Sequence, residues 1–484
     1  MAPNLPLVAQ MPEAIPFAPE TRPADSGHAP FNAWEHLPSP PSGVVVWVAE
    51  EHATVPRGGD AAAARRAGTE ILTDRWSTSC RALSVEHLPD SVAAFWLVGV
   101  TSAANILACL QRVRDRLTAA GTVVITFGVD AQPSRVPRWR EFWVSIGQRL
   151  GFGLRDRGPG HLVLELADEQ PRWRLALASE RDWPQVGELF EAIYHQPLDR
   201  ELWAWKYAEG RGNAVLAFKG DQLVAHYGGM YRDIRLAGKP EWAMQVGDVM
   251  VHPAQRAVWT RQGAFFLTCS TWAEMYGPFD FGFPSGRHMR LAEKLGIYVQ
   301  AGKVLESRWT PAERPGPRIA TRLQAIAAQT AAIGAEIDAL WSAMAADLAE
   351  AAVCVRDWRW LQRRYLQHPS FRYEVVAVRA RWTGRLLGVL VLRLHAEECE
   401  LLDLLGRLAD IPALIDQARR ICALRGRGSL YLWISDTRAR HFQVHGAVQR
   451  EIDLEIPTDG WTGSPRAGEL VDRWWLTAGD SDYR

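Results

Sequence analysis

The chain has 484 residues, of which 48% are hydrophobic and 23% charged. That length predicts two to four domains, with enough apolar sequence for sizeable cores. Lys plus Arg equals Asp plus Glu at 55 each, which excludes a global pull toward nucleic acid or an acidic membrane surface.

The first segment, "MAPNLPLVAQMPEAIPFAPETRPADSGHAP", has no basic stretch leading into an apolar core, so it does not read as a secretory signal. Residues 1–40 are expected to form a loosely ordered Pro/Ala-rich arm. No apolar run reaches the length of a membrane span, and a cytoplasmic protein is expected. The six cysteines (Cys80, Cys109, Cys269, Cys354, Cys399, Cys422) are scattered, with no CxxC pair. They read as buried, reduced thiols, and no Cys/His spacing suits a metal. The 22 tryptophans read mainly as packing residues.

Residues 41–170 alternate strand-like and helix-like segments, which predicts βαβ units and a largely parallel sheet. Strands are expected at "GVVVWVAEE" (43–51), "CRALSVEHLP" (80–89), "AAFWLVGVT" (93–101), "TVVITFGVD" (122–130) and "HLVLELA" (161–167). Helices are expected at 102–121, with Ile106, Leu110, Val113 and Leu117 on one face, and at 139–152. From Phe95 through "LTAAGTVVITFG" the sequence resembles the later strands of a class I S-adenosylmethionine-dependent methyltransferase fold. The resemblance implies a Rossmann-like domain, but not its chemistry. After Val48 comes "AEEHATVPRGGD", where Gly58 and Gly59 fall too late for a glycine-rich cofactor loop. A degenerate, non-catalytic domain is expected.

Residues 171–310 read as a strand, a helix capped near Ser179 with Val186, Leu189, Phe190 and Ile193 as its stripe, and then two antiparallel hairpins turning at "KGDQ" and "LAGKP". The stretch "VGDVMVHPAQRAVWTRQGAFF" (246–266) then takes a strand into a basic loop and on to a helix carrying Phe265, Cys269, Trp272 and Tyr276. The strand "FDFGF" (279–283) and a short helix stopped by Gly296 follow. Residues 311–352 read as a Pro-rich break and an Ala-rich helical linker. Residues 353–484 read as a second copy of the preceding unit. "WAWKYAEGRGNAVLAFKGDQLVAHYGG" (203–229) parallels "WLQRRYLQHPSFRYEVVAVRARWTGRLLGVLVLR" (360–393), and "FGFPSGRHMRLAEKLGIY" parallels "LWISDTRARHFQVHGAV".

The order helix, hairpins, strand into "VHP", long helix, "FGF" strand and "AEKLGIY" resembles the GNAT acyltransferase superfamily. Two such copies, one of them non-catalytic, resemble the Fem-type aminoacyl transferases and mycothiol synthases in architecture. The resemblance implies an α/β fold: an N-terminal Rossmann-like sheet followed by two tandem GNAT-like mixed-sheet domains. It implies acyl-CoA, acetyl-CoA above all, as cosubstrate, and a small-molecule, amino-sugar or peptide amine as acceptor. Met250 and Val251 would pair with the pantetheine like an added strand. Arg256, Arg261 and the N–H groups of Gln262, Gly263 and Ala264 would hold the pyrophosphate at a helix N-terminus.

The loop departs from the family pattern Arg/Gln-x-x-Gly-x-Gly/Ala. Counted from Arg256, its glycine positions hold Trp259 and Arg261; counted from Arg261, they hold Ala264 and Phe266. Asp248, sharing a strand face with Met250 and His252 by period two, is the candidate base. The family's acid, a Tyr, is Ala292 here, which leaves Tyr298 as a substitute. His226 and Tyr227 could line the acceptor side, although ordinary sheet positions explain them as well. The competing reading is a non-catalytic binding scaffold whose loop has degenerated because nothing binds there. Oligomeric state is not legible from the sequence.

Overall fold

The computed structural model describes residues 44–50, 70–76, 92–100, 110–111, 113–127, 136–158 and 161–169. It also describes residues 171–483 apart from 257, 259, 277–278, 328–332 and 463–464. The N-terminal arm, the strand read at 80–89, Gly58, Gly59, Cys80 and Cys109 lie outside the described residues. The chain is mixed α/β. Its elements run β1 (Val44–Glu50), β2 (Glu70–Trp76), β3 (Val92–Val100), β4 (Leu117–Phe127), α1 (Val136–Arg149), β5 (Phe152–Arg157), β6 (His161–Leu166), β7 (Arg174–Leu177), α2 (Trp183–Tyr194) and α3 (Arg200–Tyr207). They continue β8 (Gly212–Lys219), β9 (Gln222–Leu236), β10 (Lys239–Val251), α4 (Ala264–Tyr276), β11 (Asp280–Phe281), α5 (Gly286–Leu295), β12 (Tyr298–Trp309), β13 (Thr321–Ala325) and α6 (Gly334–Asp347). The last are β14 (Ala352–Cys354), α7 (Trp358–Leu361), β15 (Glu374–Ala380), β16 (Leu386–Leu394), β17 (Glu398–Gly406), α8 (Ile411–Leu424), β18 (Ser429–Ser435), β19 (Val448–Asp459) and β20 (Trp474–Trp475). No described helix is long and apolar enough to cross a membrane.

The chain divides into two compact units. The first comprises residues up to Tyr194, Ala214–Tyr227 and Met250–Tyr276. It contains a six-stranded sheet in the order β2-β1-β3-β4-β6-β5. β2, β1, β3 and β4 run parallel, and β6 and β5 close the sheet antiparallel. Residues 117–121, read as the end of a helix, open β4 instead. Leu117 pairs with Val92, and the register shifts before Thr122 meets Ala94. Cross-strand pairing here overrides the helix propensity of "LTAA". In the same unit β7 pairs antiparallel with β8. α4 is buried on several faces, with Phe265, Cys269 and Trp272 joined by Thr268, Ser270, Thr271 and Glu274. Arg149, at the end of α1, donates to Thr271 Oγ1 and lies 3.9 Å from Glu274 Oε2.

The second unit comprises His195–Asn213, Gly228–Val249 and Gly277–Arg484. Ala237 and Gly238, both at positive φ, make the expected turn between β9 and β10. β11 pairs with β10 in parallel only at Met244 to Asp280 and Gln245 to Phe281. The C-terminal part of β9 pairs with β14, which pairs with β20. A seven-stranded sheet has the order β13-β15-β16-β17-β18-β12-β19. β12 therefore lies between β18 and β19, antiparallel to both. β13 falls within the stretch read as helical linker, and is instead an edge strand on β15. β17 and β18 are parallel but pair only at Glu398–Glu400 with Ser429–Tyr431, after which no pairing holds them together. α8 packs close on this sheet: a Cβ on Gly388 or Gly406 would come within 2.6 Å of Leu414.

Candidate functional site

In the first unit, β10 ends at Val251 and the chain enters the basic loop. His252 N–H donates to the Val224 carbonyl at 2.8 Å. Arg256 is exposed, and its Nε donates back to the Val251 carbonyl at 2.9 Å. Met250 is buried. Arg261 and Gln262 are exposed, and Arg261 stands 5.9 Å from the Phe266 ring centroid. Gln262 N–H donates to Thr260 Oγ1 at 3.3 Å, and Gly263 N–H to the Thr260 carbonyl at 2.9 Å. The Gln262 carbonyl accepts from Trp173 Nε1. Gly263 caps α4, its carbonyl accepting from Leu267 N–H at 3.0 Å. A Cβ there would sit 2.0 Å from the Val258 carbonyl oxygen, so this glycine is required by close backbone approach. α4 opens at Ala264, where four first-turn N–H groups and the helix dipole favour an anion. Two of the three N–H groups expected to meet a pyrophosphate thus donate to Thr260 instead.

His226 and Tyr227 are both buried on β9, and Tyr227 packs edge-on to Trp272 at 5.3 Å.

In the second unit, Asp248 has φ +50, the left-handed region that few non-glycine residues adopt. This is an irregularity in β10, and period-two alternation does not carry across it. Lys206 Nζ donates to both Asp248 oxygens, at 3.0 and 3.1 Å. Tyr207 Oη donates to Asp248 Oδ2 at 2.8 Å. Both donors come from the last turn of α3, whose Asp199 cap accepts from Glu201 and Leu202 N–H. Lys206 also lies 2.7 Å from Asp482 Oδ2. Burial pulls its ammonium down, but Asp248 and Asp482 outweigh that and hold it above the ordinary lysine value. Burial, then Asp248 and Asp482, push the Tyr207 phenol well above its usual range, so it stays a donor.

The network continues away from Asp248. Gln245 Nε2 donates to Asp482 Oδ1, and Arg232 donates to Gln245 Oε1 at 2.7 Å and to Asp480 Oδ1 at 3.2 Å. Arg356 bridges Asp480, at 2.6 Å, and Asp403 on β17, at 3.0 Å. Tyr365 Oη donates to Asp403 Oδ2 at 2.7 Å, matching the Tyr207–Asp248 bond. Arg364–Tyr365 thus stands to Asp403 in the order that Lys206–Tyr207 stands to Asp248. Burial works against the charges of Arg356 and Asp480, but each carries the other: Asp403 and Asp480 raise the guanidinium, and Arg356 and Arg232 keep the Asp480 carboxyl low. A small cavity beside Asp403 is lined by Arg356, Trp360, Tyr365, Val391 and Leu404, among others.

Tyr298, the substitute acid, starts β12. It is buried, pairs with Asp459 on β19, and its ring lies 6.1 Å from His288. The tyrosine that reaches Asp248 is Tyr207. Sequence reasoning named none of Tyr207, Lys206 and Asp482 as a site residue. The available signal was the basic-Tyr pair repeated at both helix ends, Lys206–Tyr207 and Arg364–Tyr365. Among the described residues no group of three His, Cys, Asp or Glu side chains could hold a metal ion.

No curated protein matches the chain. Among solved structures it is similar to a conserved protein of Enterococcus faecalis V583 described as a probable N-acyltransferase, at 12% identity and TM-score 0.48 over 60% of this chain and 73% of that one. It is also similar to a GCN5-related N-acetyltransferase from Kribbella flavida, at 15% identity and TM-score 0.43 over 59% of this chain and 71% of that one. A third, from Anabaena variabilis ATCC 29413, has 14% identity and TM-score 0.45 over 59% and 72%. The family model described as an acetyltransferase (GNAT) domain matches residues 174–285, the segment from β7 to the cap of α5 that carries both Asp248 and the basic loop.

Proposed function

We propose that the protein is an acyl-CoA-dependent N-acyltransferase, with acetyl as the simplest donor and an amine of a small molecule, amino sugar or peptide as acceptor. The observation that carries this reading is Asp248. It is a carboxylate at a left-handed residue of β10, held by Lys206 and Tyr207, two residues before Met250 at the strand end, inside the matched domain. In the proposed step the acceptor amine attacks the thioester carbonyl, a C–N bond forms and the C–S bond breaks. Asp248 takes the proton from nitrogen, directly or through water, and the leaving thiolate takes one from Tyr298 or solvent. Met250 and Val251 would dock the pantetheine. Arg256, Arg261 and the N–H groups of Gln262, Gly263 and Ala264 would meet the pyrophosphate, with Gln262 and Gly263 exchanging their bonds to Thr260 for phosphate oxygens.

We read residues 171–310 and 353–484 as two GNAT-like copies, the second non-catalytic. The matched Tyr–Asp pairs support the duplication, and β13 draws the second copy's start back into the 311–352 linker. The strand order of the first sheet supports a degenerate methyltransferase-like domain at 41–170. The competing reading, a non-catalytic scaffold, is favoured by the engagement of the Gln262 and Gly263 N–H groups within the loop.

The test is thiol release from acetyl-CoA with glucosamine, spermidine and a lysine peptide as acceptors. Asp248→Asn should lower turnover by about a hundredfold or more while acetyl-CoA affinity holds. Unchanged turnover would exclude Asp248 as the base.

A further inference from the structure

Thr477–Asp482 is buried along its length. The segment enters where β17 and β18 stop pairing. Ile434 bridges Thr477, and Ser435 N–H donates to the Leu476 carbonyl at 3.1 Å. Thr477 Oγ1 donates to Asp403 at 2.9 Å, and Arg364 donates to the Gly479 and Ser481 carbonyls at 3.1 and 2.7 Å. Two glycines fit the segment closely. A Cβ on Gly479 would lie 2.2 Å from Tyr365 Oη, and one on Gly247 would lie 2.7 Å from Asp482 Oδ2. The segment therefore fills the opening in the second sheet and delivers the Asp482 carboxylate to the backbone beside Asp248.

We propose that Asp482 and Lys206 are positioning residues for Asp248, so that the segment Thr477–Asp482 completes the catalytic site. This rests on the acyl-transfer reading of Asp248. An ammonium has three N–H groups; here they serve both oxygens of Asp248 and one of Asp482. Asp482 thus fixes the cation against which Asp248 is oriented and adds a negative charge beside it. The charged and titratable groups around this cluster are Lys206 and Tyr207 from α3, Asp480 and Asp482 from this segment, Arg232 from β9, and Arg364 and His368 beyond α7. Without Asp482, Lys206 bears on Asp248 alone and the carboxylate becomes a weaker base. Without Lys206, two carboxylates face each other and Asp248 keeps its proton to higher pH.

These opposite signs separate positioning from simple packing. In protein labelled with 13C-carboxyl aspartate, with Asp248→Asn assigning the resonance, Asp482→Asn should lower the Asp248 titration midpoint by about one pH unit or more, and Lys206→Gln should raise it by a similar amount. Thiol release from acetyl-CoA should show the same displacements of its acid limb and about a tenfold or larger fall in kcat, with KM for acetyl-CoA unchanged. If Asp482→Asn does not fold, Lys206→Gln decides alone. An Asp248 midpoint that moves with neither variant overturns the proposal. If wild type releases no thiol with any acceptor while the midpoints still move, it is the acyl-transfer reading that fails, and the coupling stands.

Discussion

Asp248 sits at φ +50, a backbone state that costs a non-glycine residue on the order of 1–3 kcal/mol unless its surroundings hold it. Lys206 and Tyr207 supply that hold, and no local pattern in "VGDVMV" announces them. Asp280 on β11 is the opposite case, a buried carboxyl whose Oδ1 has no hydrogen-bond partner. Burial first, then the neighbouring Asp459, push its proton affinity well above the usual carboxyl range. A folded-state value raised in this way gives a stabilising contribution that is complete below the ordinary carboxyl value of about 4 and is lost as pH rises through the folded value. At neutral pH the group is therefore a liability. Asp280→Asn should raise stability by about 1–3 kcal/mol near neutral pH, with the gain shrinking toward acid. Thermal melts across pH would check this, and a gain independent of pH would contradict it.

At the scale of elements, strong periodicity and turn chemistry were readable. The hairpin turn at Ala237–Gly238, the Ser179 cap with its Asp182 partner, and the left-handed Gly296 that ends α5 all follow from short-range chemistry in the sequence. Where propensity and pairing disagreed, pairing prevailed: Leu117–Gly121 joined β4 and Thr321–Ala325 joined β15. α4 shows a subtler case. Its apolar stripe was legible, but Thr271 and Glu274 are buried as well, because Arg149 from α1 meets them. Arg149→Ala would leave Glu274 buried without that cation, and should cost about 3–5 kcal/mol. Chemical denaturation measures it. A loss below about 1 kcal/mol would mean that the pair contributes like a surface one.

Over the whole molecule, the proposed duplication rests on helix ends that recur at long range in the sequence, Lys206–Tyr207 and Arg364–Tyr365. The ion network was not legible, because its members come from five separate stretches of the second unit: α3, β9–β10, Arg356, β17 and Thr477–Asp482. Sequence spacing carries no information about which charges meet. The basic loop was readable as anion-friendly, yet Thr260's claim on two of its N–H groups was not. Acyl-CoA binding at that loop is the central claim of the proposed function. The most direct measurement is thermal stability under titration with acetyl-CoA and longer acyl-CoAs. Binding at this loop should stabilise the fold by about 2.7 kcal/mol at a hundred times the dissociation constant, and by less in Arg261→Ala. No stabilisation by any acyl-CoA would contradict it.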